Sequence, residues 1–207
     1  MATRLMFIPD SKCIYRDVEV DFKWVAGISI SQRVKCALSL HDCIKSKYNL
    51  RPLEISRASA SELGRSLSAF NLKYDGYTFE NVFQSSKVFE GNIQNVDILN
   101  VNPREAKRAA DAMNLALIGF RYKGMDFPLV PRSLFYDYLY IDCVLKSSID
   151  LSELDNYDCF TDCGFDQKKK FNCQARSIAI LQSLRHLNLV EEAMKSPESF
   201  KNIVYNK

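Results

Sequence analysis

Glycine and proline are scarce in this chain, seven and six among 207 residues, so no long linker or low-complexity segment interrupts it. Histidine occurs only twice, and no Cys-x-x-Cys pair exists. Seven cysteines are present, and Cys159, Cys163 and Cys173 fall within fifteen residues, but neither histidine joins them. That spacing is poor for zinc, and these cysteines read as small buried hydrophobes with free thiols. No metal or other cofactor is expected. No apolar run approaches the length of a membrane span, and the opening "MATRLMFIPDSK" is too short in apolar residues for a secretory signal. These absences point to a reducing, cytoplasmic setting without a membrane partner. The net charge of +3 carries no clustered basic stripe, so the charge permits an anionic ligand or nucleic acid without indicating one. The compact run Lys168–Lys170 reads as a solvated loop.

What is present is enough for a packed core: 47% of residues are hydrophobic. Val18, Val20, Phe22 and Trp24 alternate with charged residues at strand period. Residues 53–56 and the run 5–8 read as further short strands. Val34, Ala37, Leu38, His41 and Ile44 recur at helical spacing, with Ser29 or Ser31 as the cap and His41 as a structural histidine. Asp75-Gly76 and Lys123-Gly124 mark tight turns or hairpins. Asn102, Pro103 and Glu105 form a clear helix start. Residues 132–148 and 174–187 read as helices, Ser196-Pro197 opens a last short one, and 150–172 reads as an ordered loop. The expectation is a single, mainly helical α+β domain over 1–207 with a few short strands.

The segment "FENVFQSSKVFEG" (79–91) raises the functional question. Its spacing predicts a helix over 79–90, stopped by Gly91-Asn92. Glu80, Gln84 and Lys87 then share one face, at i, i+4 and i+7. An exposed polar stripe with a weak Glu–Lys relation is the simpler reading of these residues alone. Against it, Phe79, Val82, Phe83, Val88 and Phe89 should cover most of the helix, and polar groups on a covered helix need partners or a wet pocket. Three other stretches mix polar and aromatic residues: "LSAFN" (67–71), "NYDCFTDCGF" (156–165) and "FNCQAR" (171–176). A helix start near Asn172, with Arg176, would suit a phosphate.

In this order the stretches resemble the NADAR, or YbiA-like, family. Glu80, Phe83, Gln84 and Lys87 match its E-H-x-[YF]-Q-x-x-K motif, with Asn81 in place of histidine. Leu67, Ser68 and Phe70 match its LSNF stretch, Ala106-Lys107 its AK helix start, Asp158 and Gly164 its D-x-x-WG-x-G loop, and Asn172 and Arg185 its last helix. Thr161-Asp162 replaces Trp-Gly, and Gln174-Ala175 replaces the glycine of the last helix. The resemblance covers about 64–187, with residues 1–60 as an N-terminal extension packed on it. It implies an N-glycosidase that removes ADP-ribose from guanine in nucleic acid, antitoxin to a cognate ADP-ribosylating toxin. A second activity it implies is cleavage of phosphorylated riboflavin-pathway intermediates. A non-catalytic ADP-ribose or nucleotide-binding module, or a structural protein with a plain Glu80–Lys87 ion pair, are the other classes. On the enzymatic reading Glu80 is the general acid/base and Lys87 the nucleophile. Ser68, Phe70, Asn71, Phe83, Gln84, Lys107, Tyr157, Asp158, Asn172 and Arg176 would bind the substrate.

Overall fold

The computed structural model describes residues 1–27, 29–168 and 170–206. Lys169 of the lysine run lies outside the described residues. In chain order the elements are β1 (Ala2–Asp10), β2 (Ile14–Phe22), α1 (Ile30–Tyr48), β3 (Pro52–Glu54) and α2 (Glu62–Ser66). Then come β4 (Lys73–Tyr74), β5 (Tyr77–Thr78), α3 (Phe79–Ser85), β6 (Lys87–Phe89), β7 (Ile93–Gln94) and α4 (Pro103–Asp111). The last are β8 (Leu117–Tyr122), β9 (Met125–Phe127), α5 (Leu134–Leu145), β10 (Cys159–Thr161), α6 (Gln174–His186), α7 (Val190–Met194) and α8 (Pro197–Val204). The α+β class is as expected. Among the described residues no helix is long and apolar enough to cross a membrane.

The chain forms two compact units, 1–68 with 148–190, and 69–147 with 191–207. The first is built on a four-stranded sheet in the order β2-β1-β10-β3. β1 pairs antiparallel with β2 and β10, and β3 runs parallel to β10. Neighbouring Met6 and Phe7 are both buried, so the sheet is covered on both faces. Cys36, Ala37, Leu40 and Ile44 of α1 pack on Met6, Val20, Phe22 and Cys159. α6 also packs on β1, β2 and β10. Residues 1–60 thus supply three of this sheet's four strands. The reading of 150–172 as a loop needs correction, since β10 lies inside it, between β1 and β3. Three residues are too few to show a period, and β10 is fixed by long-range pairing rather than local preference.

The second unit holds the sheet β7-β6-β8-β9 and the β4–β5 hairpin. Asp75 and Gly76 both take positive φ (49° and 87°), as a two-residue turn of this hand requires, and Lys123 and Gly124 do the same between β8 and β9. Phe135 on α5 stacks on Phe120 and meets Phe83, Tyr122 and Phe127, giving this unit an aromatic core. Asn102 caps α4 through its side chain, as expected from Asn-Pro.

The helix expected over 79–90 ends at Ser85. The hydroxyls of Ser85 and Ser86 both donate to the Val82 carbonyl, at 3.0 and 2.8 Å, which offers the backbone an alternative to continuing the helix. The chain turns into β6 at Lys87. Gly91 and Asn92, both at positive φ, lie in the turn between β6 and β7 and do not stop a helix.

Glu54, at the end of β3, is 1% exposed. Its carboxyl accepts from Ser56 Oγ and Thr161 Oγ1, each at 2.7 Å, and from the Cys163 N–H at 2.9 Å. Burial, reinforced by the charge of Asp162, raises its pKa from 4.5 to about 7. His41 Nε2 lies 2.9 Å from Thr161 Oγ1, and burial lowers its pKa to about 4. The two shifts oppose each other in stability. The folded state holds the Glu54 proton more tightly than the unfolded chain, so that contribution is complete below pH 4.5 and lost as pH rises through about 7. The His41 contribution is complete above pH 6.5 and lost as pH falls through about 4. Glu54→Gln removes only the first. Urea melts at about pH 5 and about pH 8 should show the stability gap between wild type and Glu54→Gln narrowing as pH rises. A gap that is constant or widens would contradict the assignment.

Candidate functional site

α3 carries polar residues among aromatic ones, and the structure gives each a place. Thr78 caps the helix: its hydroxyl accepts from the Asn81 N–H at 3.3 Å and donates to Asn81 Oδ1 at 2.7 Å. Asn81 is buried, and its amide donates to the carbonyls of Ile98, Leu99 and Val101 at 2.9, 3.0 and 2.7 Å. This residue therefore ties α3 to the turn that precedes α4. Gln84 is 5% exposed, and its Nε2 donates to Glu80 Oε1 at 2.7 Å. Its own Oε1 is buried with no hydrogen-bond partner among the described residues. Glu80 itself is partly exposed.

Lys87 starts β6, opposite Phe120 of β8. Residues i and i+2 of a strand share a face, so Lys87 and Phe89 both point into an open cleft of about 470 Å³. Ala110, Asp111, Asn114, Leu115 and Leu117 complete its lining. Lys87 is partly buried, and among the described residues its ammonium makes no hydrogen bond and no ion pair within 4 Å. Burial lowers its pKa below the usual lysine value. Asp111 and Glu80 counteract this, and Lys107 adds to it.

The other expected residues divide between the units. Phe70 and Asn71 are exposed in the turn before β4, and Lys107 is exposed on α4. Phe83 is partly exposed, while its ring stacks on Phe79 and Phe135 and so is engaged in the aromatic core. In the first unit, Ser68 is fully buried and Tyr157 is partly buried. Asp158 accepts from Arg51 Nε, Nη2 and backbone N–H at 3.0, 2.9 and 2.8 Å, bonds that hold its carboxyl below the usual range. Asn172 lies ahead of α6 with its Oδ1 buried and no hydrogen-bond partner among the described residues. Arg176 donates from Nη1 to the Phe171 carbonyl at 3.0 Å.

The structure thus brings Glu80, Gln84 and Lys87 together at the junction of α3 and β6, with Lys107 near enough to act on Lys87. Of these four only Lys87 lines the cleft. Residues 158–164 and 172–176 belong to the other unit. Two polar lining residues escaped the sequence reading, Asp111 and Asn114. Asp111 was within reach of it, since "KRAAD" sets it one helical turn after Lys107. Glu54 and its hydrogen-bonded donors were also missed, because a lone glutamate in a three-residue strand has no pattern around it. Among the described residues no group of three metal-ligating side chains exists.

A family model described as DarT1-associated NADAR antitoxin matches residues 2–207. The match includes the first sixty residues, in which no motif was legible. No curated protein matches the chain.

Asn81→Ala would strand the three carbonyls that hold the 97–101 turn on α3. A loss of about 1–3 kcal/mol in chemical denaturation is expected. A loss below about 0.5 kcal/mol would show that this clamp does not matter.

Proposed function

The chain belongs to the family of DarT1-associated NADAR antitoxins, and from that membership we propose that it is an N-glycosidase releasing ADP-ribose from an ADP-ribosylated guanine in nucleic acid. In this role it reverses the work of a cognate ADP-ribosylating toxin in the cytoplasm. The observation that carries the reading is Lys87: a partly buried amine, unpaired among the described residues, on the wall of a cleft. A lysine in that setting gives up its proton more readily than one in water, and a neutral amine is a nucleophile.

The chemistry follows from the groups at hand. Glu80 donates a proton to the guanine nitrogen as the C1–N bond breaks, so the base leaves neutral. The Lys87 amine adds its lone pair to C1, the bond from C1 to the ring oxygen breaks, and a proton passes from the nitrogen to that oxygen, which gives an imine on the opened sugar. Water adds to that imine, the C1–N bond to Lys87 breaks, and ADP-ribose and the free amine are restored. The Gln84 amide holds Glu80 Oε1 and leaves Oε2 for the substrate. Lys107 is suited to a phosphate of the same ligand, and Phe70 and Phe83 to the base.

An oligonucleotide carrying ADP-ribosylated guanine, with free ADP-ribose as the readout, tests this. Wild type should release it. Lys87→Ala and Glu80→Gln should each slow release by on the order of 100-fold or more. Lys87→Arg should fail as well, because a guanidinium stays protonated. Because Lys87 must be neutral while Glu80 carries a proton, release should be bell-shaped in pH, with the Lys87 limb below the ordinary lysine value of 10.5. Full activity in Lys87→Ala would remove the imine route.

A further inference from the structure

α4 carries the opposite charges of Lys107 and Asp111, and the second of them lines the cleft. Ala106 and Ala110 face inward, packed with Ile98, so the neighbouring positions Lys107 and Asp111 lie one turn apart on an adjoining face. Among the described residues they form no ion pair with each other within 4 Å, and neither does Lys87 with Asp111. Lys87 and Asp111 therefore act on each other through the space of the cleft. Asp111 lines it together with Lys87. Asp111 is also the last residue of α4, where the carbonyl end of the helix favours a nearby cation.

We propose that Asp111 is a positioning residue for Lys87: its carboxylate, on the lining of the same cleft, draws the ammonium into the cleft between turnovers, while Lys107, one turn back on α4, acts in the opposite sense. This rests on Lys87 as the nucleophile. An amine that is always charged could not attack C1. Asp111 offsets the burial of Lys87, and Lys107, on the same helix, adds to it. The other charges around Lys87 are few. α3 contributes Glu80, itself held by Gln84. β8 contributes Arg121, which is bound to Asp126 at 2.7 Å and to Asn92 at 3.0 Å.

The test needs no substrate. Reductive methylation of the whole protein with ¹³C-formaldehyde labels each lysine, and the resonance missing in Lys87→Arg identifies Lys87. Its ¹³C shift is then followed against pH. Asp111→Asn should move the midpoint to lower pH by about half a unit or more, and Lys107→Met should move it to higher pH. Asp111→Glu, which keeps the charge, should stay closer to wild type. With the nucleic-acid substrate, the limb of the pH profile that reports Lys87 should shift to lower pH in Asp111→Asn. A Lys87 midpoint that does not respond to Asp111→Asn would overturn the proposal, whatever the activity. If the midpoint moves while wild type releases no ADP-ribose, the electrostatic tie stands and the glycosidase reading fails.

Discussion

The site depends on where α3 stops. Two serine hydroxyls return to the Val82 carbonyl, and the chain leaves the helix one residue before Lys87. Had the helix run on, Lys87 would extend the Glu80–Gln84 stripe and point along the helix surface. As the first residue of β6 it instead follows strand geometry, with Val88 turned into the core and Phe89 on the same side as the amine. The helix and the strand therefore contribute to the site in different ways. α3 presents a carboxylate whose orientation is fixed by Gln84. β6 delivers an amine into a cleft.

The charge state of that amine balances its burial against the charges around it. Burial disfavours the ammonium, Asp111 and Glu80 favour it, and Lys107 disfavours it. The result is a lysine poised for deprotonation without the full desolvation that a completely buried amine would suffer. The same logic appears in the first unit with the opposite outcome. Glu54, buried with Asp162 close by, holds its proton more tightly than a carboxyl in water. There the donors Ser56, Thr161 and Cys163 satisfy the group, and it contributes to the sheet rather than to a cleft.

Much of this architecture was legible in the sequence wherever local chemistry determines it. Ser29, Asn102 and Ser196 cap their helices through their side chains, and the Asp75-Gly76 and Lys123-Gly124 turns close hairpins. The aromatic density of 79–89 pointed correctly to a covered helix, and the Glu80–Gln84 contact follows from i, i+4 spacing. What was not legible depends on distant partners. β10 exists because β1 and β3 flank it. Gly91-Asn92 reads equally well as a helix stop or a hairpin turn, and only the pairing of Phe89 with Ile93 decides between them. Asn81 stands where the family motif has histidine, and its part in clamping residues 98–101 emerges only once that turn is folded against it.

The central claim is that the Lys87 amine bonds to the sugar. Borohydride added during turnover reduces an imine to a stable amine, and mass spectrometry of the digested protein locates it. The account predicts one adduct, of the mass of ADP-ribose, on the peptide containing Lys87. It predicts none when substrate is omitted. An adduct on another lysine, or active turnover that borohydride never traps, would contradict it.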